Sequence, residues 1–211
     1  MHPHALKTVV VSSALLLLAA GSAYGQAKQH ITFDMVVSKG ASTCLPDAKA
    51  RVQVVTNGTF EDLFIYATGL PPGTDFDFFV IQVPNAPFGL SWYQGDVETN
   101  GKGEAFQVFR GRFSVETFII APGVAPAPQV FNAPPFPDAS QNPETFGPDG
   151  KTPGPVQTYH LGLWFNSPAD AQKAGCAATV TPFNGEHNAG IQVLNTSNFP
   201  DSQGPLFTLQ P

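Results

Sequence analysis

The sequence predicts an all-β fold: an antiparallel β-sandwich, of immunoglobulin-like or jelly-roll-like type, with one short helix and one long proline-rich loop. Short runs rich in β-branched and aromatic residues recur between turn signals at intervals of about 8–15 residues, which is typical of such folds. The alternating helical segments that a βαβ fold requires are missing. Eighteen phenylalanines and few charged residues indicate that the chain can bury a large core.

The first 25 residues predict a secretory signal peptide. Lys7 precedes an apolar run, residues 8–20, which is shorter than the roughly 20 residues that a membrane span needs; a lone N-terminal anchor is the alternative. Small residues then offer a cleavage site before Gln26, with cleavage after Ala23 or after Ala27 as alternatives. We therefore expect a secreted or periplasmic protein in which residues 26–211 form one domain, with no membrane insertion after signal removal. The formal net charge of −6 argues against nucleic acid as a partner.

Cys44 and Cys176 are the two cysteines of the chain. In an oxidising compartment, the simplest interpretation is one disulfide that joins the beginning of the mature chain to its end. A metal pair or a reactive thiol is the alternative, but no histidine or other cysteine lies within four residues of either position, as a zinc site usually requires. A link of this span favours one domain over two.

Seven strands are expected before residue 122, with Asn57-Gly58 and Pro72-Gly73 as the clearest turns between them. They are His30–Val37, Ala50–Thr56, Phe60–Thr68, Phe76–Val83, Leu90–Gln94, Ala105–Phe109 and Phe113–Ala121. The first alternates apolar and polar residues and is assigned to a sheet edge. The third and fourth are largely apolar on both faces, which favours central strands covered on two sides.

Residues 122–155 contain ten prolines and three phenylalanines, a composition typical of a long irregular segment. We expect this segment to wrap over the surface of the sandwich, or to form the wall of a binding cleft. A strand over Val156–Phe165 follows it, and then the one convincing helix, Ser167–Gly175, with its first residue as N-cap. A last pair of strands is predicted at Thr179–Phe183 and Gly190–Leu194.

His160 with Glu186 and His187 is the first candidate for chemistry. A histidine on a strand and a Glu-His pair on a nearby turn have the residue types of a metal site or an acid–base pair. Only the fold can bring them together, because their spacing is no metal signature. The alternative is that His160 is hydrogen-bonded on a sheet face and that His187 lies in a solvated turn.

Two pairs of acidic residues, Asp75 with Asp77 and Asp96 with Glu98, form the second candidate. Asp96, Glu98 and Asn100, followed by a glycine, resemble part of a calcium loop, although the glutamate usual at its twelfth position is missing. No cofactor other than this calcium ion is expected. Two carboxylates that flank a sugar would suit a glycosidase, but acidic pairs at strand ends are common without that role.

Trp92, Tyr93 and Trp164 are the third candidate. When such flat, amphipathic rings are exposed on a sandwich, they form a platform for a carbohydrate, a small ligand or a protein partner. In a chain with so many phenylalanines, the same rings are also expected in the core or at its rim. The sequence leaves both interpretations open.

Several motifs carry a resemblance to known proteins. The turn Ala67–Thr74 and the segment Gly95–Gly103 resemble a pattern of secreted bacterial β-sandwich modules. The mature chain as a whole is similar to a group of uncharacterised exported proteins of soil bacteria, above all around Trp92–Asp96, Gly111–Phe113 and His160–Phe165. This resemblance implies the fold and the export, and it implies no activity.

The sequence therefore predicts an exported, non-catalytic module with a binding or structural role at or outside the cell envelope, and an unidentified protein or glycan as its partner. It contains no Gly-x-Ser-x-Gly elbow, no His-Glu-x-x-His pair and no phosphate loop. Two alternatives stay open. One is a secreted hydrolase or metal-dependent enzyme with its site near His160, Glu186 and His187. The other is a carbohydrate or small-ligand binder that uses the surface aromatics.

Overall fold

The computed structural model describes residues 29–58, 60–86, 88–89, 91–113, 118–120, 155–181 and 188–209. Its strands are β1 (His30–Val37), β2 (Lys49–Thr56), β3 (Glu61–Thr68), β4 (Asp75–Ile81), β5 (Ser91–Glu98), β6 (Ala105–Gly111), β7 (Phe118–Ile120), β8 (Pro155–Gln157), β9 (His160–Phe165) and β10 (Gln192–Asn195). The helices in these ranges are α1 (Pro168–Lys173) and a 3₁₀ turn at Pro205–Thr208. The all-β prediction is confirmed. No helix in the described ranges is long and apolar enough to cross a membrane.

Eight of these strands form one antiparallel sheet in the order β5-β4-β9-β10-β1-β2-β3-β6, and β7 pairs separately with β8. Strand β1 connects two groups of strands, because it pairs with β2 over His30–Met35 and with β10 at Val36 and Val37. The prediction of an edge strand therefore holds only in part: among the described residues, His30–Met35 pair on one side only, but the end of β1 joins it to β10. Alternation of apolar and polar residues reports that one face of a strand meets solvent, but not which strands lie on either side of it.

The sheet curls until its two end strands approach one another, so the fold is nearly barrel-like. The rings of Phe78 on β4 and Phe109 on β6 stack across the interior with centroids 5.0 Å apart. Gly95 on β5 also lies against Phe109, since a Cβ atom at this glycine would stand 3.0 Å from the ring. The core fills the inside of the curl, and its large buried side chains include Met35, Leu63, Ile65, Phe76, Leu161, Leu163, Phe165 and Leu194.

The outer face of the sheet, which points away from this core, divides into two regions. The open half consists of β1, β2, β3 and β6, where many outward side chains are exposed. The covered half consists of β4, β9 and β10, where nearly every residue is buried on both faces. Strand β5 borders the covered half as an edge strand.

The local signals of the sequence correspond to turns and caps in the structure. Asn57-Gly58 joins β2 to β3, with glycine at φ 83° and a hydrogen bond from Asn57 N–H to Phe60 O. Gly73 has φ 58° in the turn before β4, a left-handed conformation that suits glycine. Ser167 caps α1, because its hydroxyl accepts a hydrogen bond from the backbone N–H of Asp170.

The predicted disulfide between Cys44 and Cys176 is present in the structure. Cys44 lies in the loop between β1 and β2, and Cys176 follows α1, which itself follows β9. The bond therefore connects the open half of the sheet to the covered half across a sequence separation of 132 residues.

Several strand boundaries differ from the predictions, and two of the differences affect the candidate sites. Strand β5 extends to Glu98, so Asp96 and Glu98 belong to a strand and not to the following turn. The predicted strand Val156–Phe165 is divided between β8 and β9.

The signal peptide and nearly all of the proline-rich segment lie outside the described residues. The last predicted pair of strands corresponds to a single bridge between Thr181 and Ala189 and to β10.

Candidate functional site

His160 opens β9 and is fully buried, with both ring nitrogens engaged. Its Nδ1 lies 2.8 Å from the hydroxyl oxygen of Thr196, and its Nε2 lies 3.2 Å and 3.1 Å from the carbonyl oxygens of Pro200 and Asp201. The backbone N–H of Leu161 donates to the same threonine hydroxyl. The imidazole therefore attaches the segment after β10 to the sheet.

The partners of His160 determine its tautomer, and its burial lowers its pKa. Two carbonyl oxygens require a proton on Nε2, and the Thr196 hydroxyl, which accepts from a backbone N–H, donates its own proton to Nδ1. Burial lowers the pKa of His160 below its ordinary value and outweighs the hydrogen bonds to the carbonyl groups, which raise it. A neutral imidazole with both nitrogens bonded has no position left for a metal ion. Glu186 and His187 lie outside the described residues.

The two acidic pairs meet on the outer face of β4 and β5, as direct cross-strand partners. Asp75 is opposite Glu98, and Asp77 is opposite Asp96. Asp77 is fully buried, whereas Asp96 and Glu98 are exposed. Like charges directly opposite one another destabilise an antiparallel pair, and here two such pairs follow each other along the strands. We call this set of four carboxylates the acidic face.

A β-bulge brings Tyr93 onto the acidic face. The register shifts between Phe78 and Phe79, so that Tyr93 is opposite Phe79 while Asp96 stays opposite Asp77. The bulge puts two residues that are three apart in sequence on one face, where the Tyr93 hydroxyl donates a hydrogen bond to Asp96. Without the bulge, their side chains would point to opposite faces.

The acidic face concentrates negative charge at Asp75, Asp96 and Glu98. Burial raises the pKa of Asp75, and the charges of Asp96, Glu98 and Asp170 raise it further, against the hydrogen bond from the backbone N–H of Phe76. Burial, the hydrogen bond to Asp96 and the neighbouring carboxylates raise the pKa of Tyr93 well above its usual range. Within the described ranges, Asp75, Asp96 and Glu98 have no ion pair with a lysine or arginine.

The structure does not form the calcium loop that the sequence suggests around Asp96. The side-chain oxygen of Asn100 accepts hydrogen bonds from the backbone N–H groups of Lys102 and Glu104, so it stabilises the turn after β5. No group of three or more histidine, cysteine, aspartate or glutamate residues in the described part of the chain is arranged to hold a metal ion.

No protein-family model, no curated protein and no solved structure matches the chain. Function is therefore inferred from the geometry of the described residues.

The three candidate aromatics do not form one exposed platform. Tyr93 is 38% exposed on the outer face, with its ring 5.5 Å from that of Phe79. Trp92 is 53% exposed but is opposite the core residue Val80, so it points to the other side of β5. Trp164 is only 3% exposed and is covered on the outer face. A stack of all three rings against one sugar is therefore not available.

Trp164 is the centre of the covered half. Its indole makes edge-on contacts with the rings of Phe79 at 5.3 Å and Phe88 at 5.0 Å. The ring lies over Gly162, where a Cβ atom would stand 2.2 Å from it, so only glycine fits there. Phe88 has φ 63°, a strained conformation for a residue other than glycine. This packing offsets the strain.

Two buried amides attach the loop after β4 to the covered half. The side-chain N–H groups of Gln192 and Asn195 both donate to the carbonyl oxygen of Pro84, at 3.0 Å and 3.1 Å. Asn195 also donates to the side-chain oxygen of Gln192 at 2.8 Å. These bonds therefore fix the position of the loop, and the loop in turn places Phe88 against Trp164.

The open half carries an exposed feature that the sequence-based reasoning missed. Phe64 and Tyr66 on β3 and Phe106 and Val108 on β6 share the outer face, and we call them the apolar stripe. Tyr66 is opposite Phe106 and Phe64 is opposite Val108. Phe106 is 64% exposed, and its ring stacks on that of Phe64 with centroids 6.5 Å apart. The alternating pattern of both strands predicts that these side chains point away from the core. It does not predict whether another part of the chain covers them.

Proposed function

We propose that this protein is an exported, non-catalytic binding module of the β-sandwich type, and that its acidic face recognises positively charged groups of a protein partner. One observation carries the proposal: three carboxylates without an ion pair among the described residues, Asp75, Asp96 and Glu98, lie together on the outer face of β4 and β5, with Asp75 and Glu98 directly opposite one another as a like-charged pair. Such pairs reduce the stability of the free sheet, and a bound cation relieves this repulsion.

The shape of the acidic face suits the side chains of arginine and lysine. Asp96 and Glu98 are exposed and point to the same side of an edge strand, so a partner reaches them without any opening of the fold. The half-exposed ring of Tyr93 lies beside them and offers a surface on which a guanidinium group stacks. A basic segment of another protein supplies several such groups at once.

Binding is favoured over the enzyme alternative because of the state of His160. Its two nitrogens hold Thr196 and the carbonyl groups of Pro200 and Asp201, which leaves no base on this imidazole for a substrate. The proposed location outside the cytoplasm is supported by the Cys44–Cys176 disulfide, since such bonds persist in oxidising compartments.

Calorimetric titration of the purified protein with an oligolysine and an oligoarginine peptide tests the proposal. We expect binding that weakens as salt is added, because exposed charges are screened within about 10 Å at 0.1 M salt. The double variant Asp96→Asn/Glu98→Gln removes two charges from the acidic face and should bind at least about tenfold more weakly, a change typical of lost charge pairs at interfaces.

The matched control is the double variant Asp47→Asn/Asp201→Asn, which changes the net charge equally at two exposed positions away from the acidic face. It should bind as the parent protein does. Equal weakening by both double variants would mean attraction to net charge alone. Failure of the parent to bind either peptide at low salt would refute the proposal.

A further inference from the structure

We propose that the apolar stripe is the contact surface between two copies of this chain, related by a twofold axis. Phe64, Tyr66, Phe106 and Val108 form a continuous apolar surface on the outer face of β3 and β6. Tyr66, Phe106 and Val108 are 49%, 64% and 40% exposed. An aromatic centre of this kind is typical of the buried core of a protein interface. The inference is independent of the acidic face.

The stripe is bordered by two ion pairs, of which the pair of Arg51 and Asp34 exposes both signs of charge and the pair of Arg110 and Asp62 exposes mainly the arginine. Arg51, opposite Tyr66 on β2, binds both carboxylate oxygens of Asp34, at 2.9 Å and 3.2 Å. Arg110 lies two residues after Val108 on β6 and so shares its outer face. Its guanidinium group binds both carboxylate oxygens of Asp62, at 2.7 Å and 3.1 Å. Polar, solvent-accessible groups around an aromatic centre are typical of the rim of an interface.

This rim favours a second copy over a foreign partner, because it complements itself. In a twofold contact the same patch of both copies meets, so each positive group on one copy must find a negative or acceptor group of the same patch on the other copy. The side chains of Arg51, Asp34 and Arg110 are 67%, 56% and 65% exposed, so cations and an anion are available at the border. A partner whose surface carries charges of only one sign would meet a side chain of the same sign at one of the two borders.

The distribution of charge also allows two open halves to approach one another. The chain has a formal net charge of −6, which opposes association in general. The outer face of the open half, however, carries Lys49, Arg51 and Arg110 against Asp34 and Asp62. This face therefore carries one positive charge in excess and no negative excess, so two such faces repel one another less than the net charge of the chains suggests, and the acidic faces stay outside the contact.

Analytical ultracentrifugation of the purified protein from about 1 to about 100 μM tests this inference, a range that covers weak to moderate dimers. We expect a reversible monomer–dimer equilibrium. Phe106→Lys should weaken the dimer at least about thirtyfold, as expected for a central aromatic contact, and Tyr66→Ser should weaken it in the same direction. Both side chains are exposed, so the circular dichroism spectrum and melting temperature should stay close to those of the parent.

Val180→Lys is the matched control, because Val180 is 50% exposed and lies outside the stripe. It should leave the dimer constant unchanged. A parent protein that remains monomeric over the whole range would overturn the inference, and so would a dimer that Phe106→Lys does not weaken. A mass that grows continuously with concentration would overturn the twofold contact in favour of a head-to-tail one.

Discussion

Strands β3 and β4 have similar sequences and opposite surroundings. Both are apolar on two faces, and both place one face in the core: Leu63, Ile65 and Ala67 on β3, and Phe76 and Phe78 on β4. On β4 the second face is covered as well, and even Asp77 is fully buried. On β3 the second face is open, and Tyr66 is 49% exposed.

The difference lies in what the rest of the chain places over each strand. The covered half is overlaid by the loop after β4, which Gln192 and Asn195 hold through Pro84, and by the indole of Trp164. In the described part of the chain, no loop is bonded over the apolar stripe in this way. An apolar face without a cover is a surface for another molecule, whereas a covered one contributes to stability.

The largest expected effect comes from breaking the link between the two halves. The double variant Cys44→Ala/Cys176→Ala removes a cross-link that spans 132 residues, which the chain-entropy model values at about 4–5 kcal/mol of unfolding free energy. Urea titration of parent and variant measures the difference. A loss below about 1 kcal/mol would mean that the unfolded chain gains little freedom without the bond, so that the pairing of β1 with β10 suffices to join the halves.

The next effect contrasts one aromatic residue from each half. Trp164→Ala removes the centre of the covered half and should lower the free energy of unfolding by about 3–5 kcal/mol. Phe106→Ala on the stripe should change it by less than about 0.5 kcal/mol in dilute, monomeric protein. Both values come from urea titration.

Trp164→Phe sharpens this contrast. The indole N–H of Trp164 is buried and has no hydrogen-bond partner among the described residues. Loss of this group costs no hydrogen bond, and phenylalanine leaves a smaller cavity than alanine does, so the variant should lose clearly less stability than the alanine variant. A loss as large as that of the alanine variant would mean that the N–H group is bonded in solution.

The sequence predicted local features well and long-range ones poorly. The Ser167 cap and the Asn57-Gly58 turn were predictable, because each depends on neighbouring residues. The pairing of β1 with β10 was not, because β10 lies more than a hundred residues later in the chain. The acidic face contains residues that the sequence singled out, but their meeting depends on the register of β4 against β5 and on a bulge.

A pH titration of stability tests the role assigned to His160. Because burial lowers its pKa in the folded state, the unfolded chain takes up a proton more readily than the folded one. Stability from this group is therefore present above the ordinary histidine value of 6.5 and is lost as the pH falls below it, by at most about 1.4 kcal/mol per pH unit. The slope between about pH 6.5 and pH 5 should be smaller in His160→Gln. An unchanged slope would assign the effect to another group.

The smallest effect compares one carboxylate from each half. Burial and its acidic neighbours raise the pKa of Asp75, so this group destabilises the fold as the pH rises above the ordinary aspartate value of 3.8. Asp75→Asn keeps the acceptor for the N–H of Phe76 and should stabilise the protein at pH 7, by a few tenths of a kcal/mol because solvent screens the site.

Asp34 on the open half has the opposite environment. Its hydrogen bonds with Arg51 lower its pKa, so that its contribution to stability is present above pH 3.8 and is lost as the pH falls through the lowered value. Asp34→Asn should therefore destabilise the protein at pH 7, and the difference should shrink as the pH falls below 3.8. Urea midpoints at pH 7 and near pH 3 measure both variants. If both shift in the same direction at pH 7, the acidic face does not carry the concentrated negative charge on which its proposed role in binding depends.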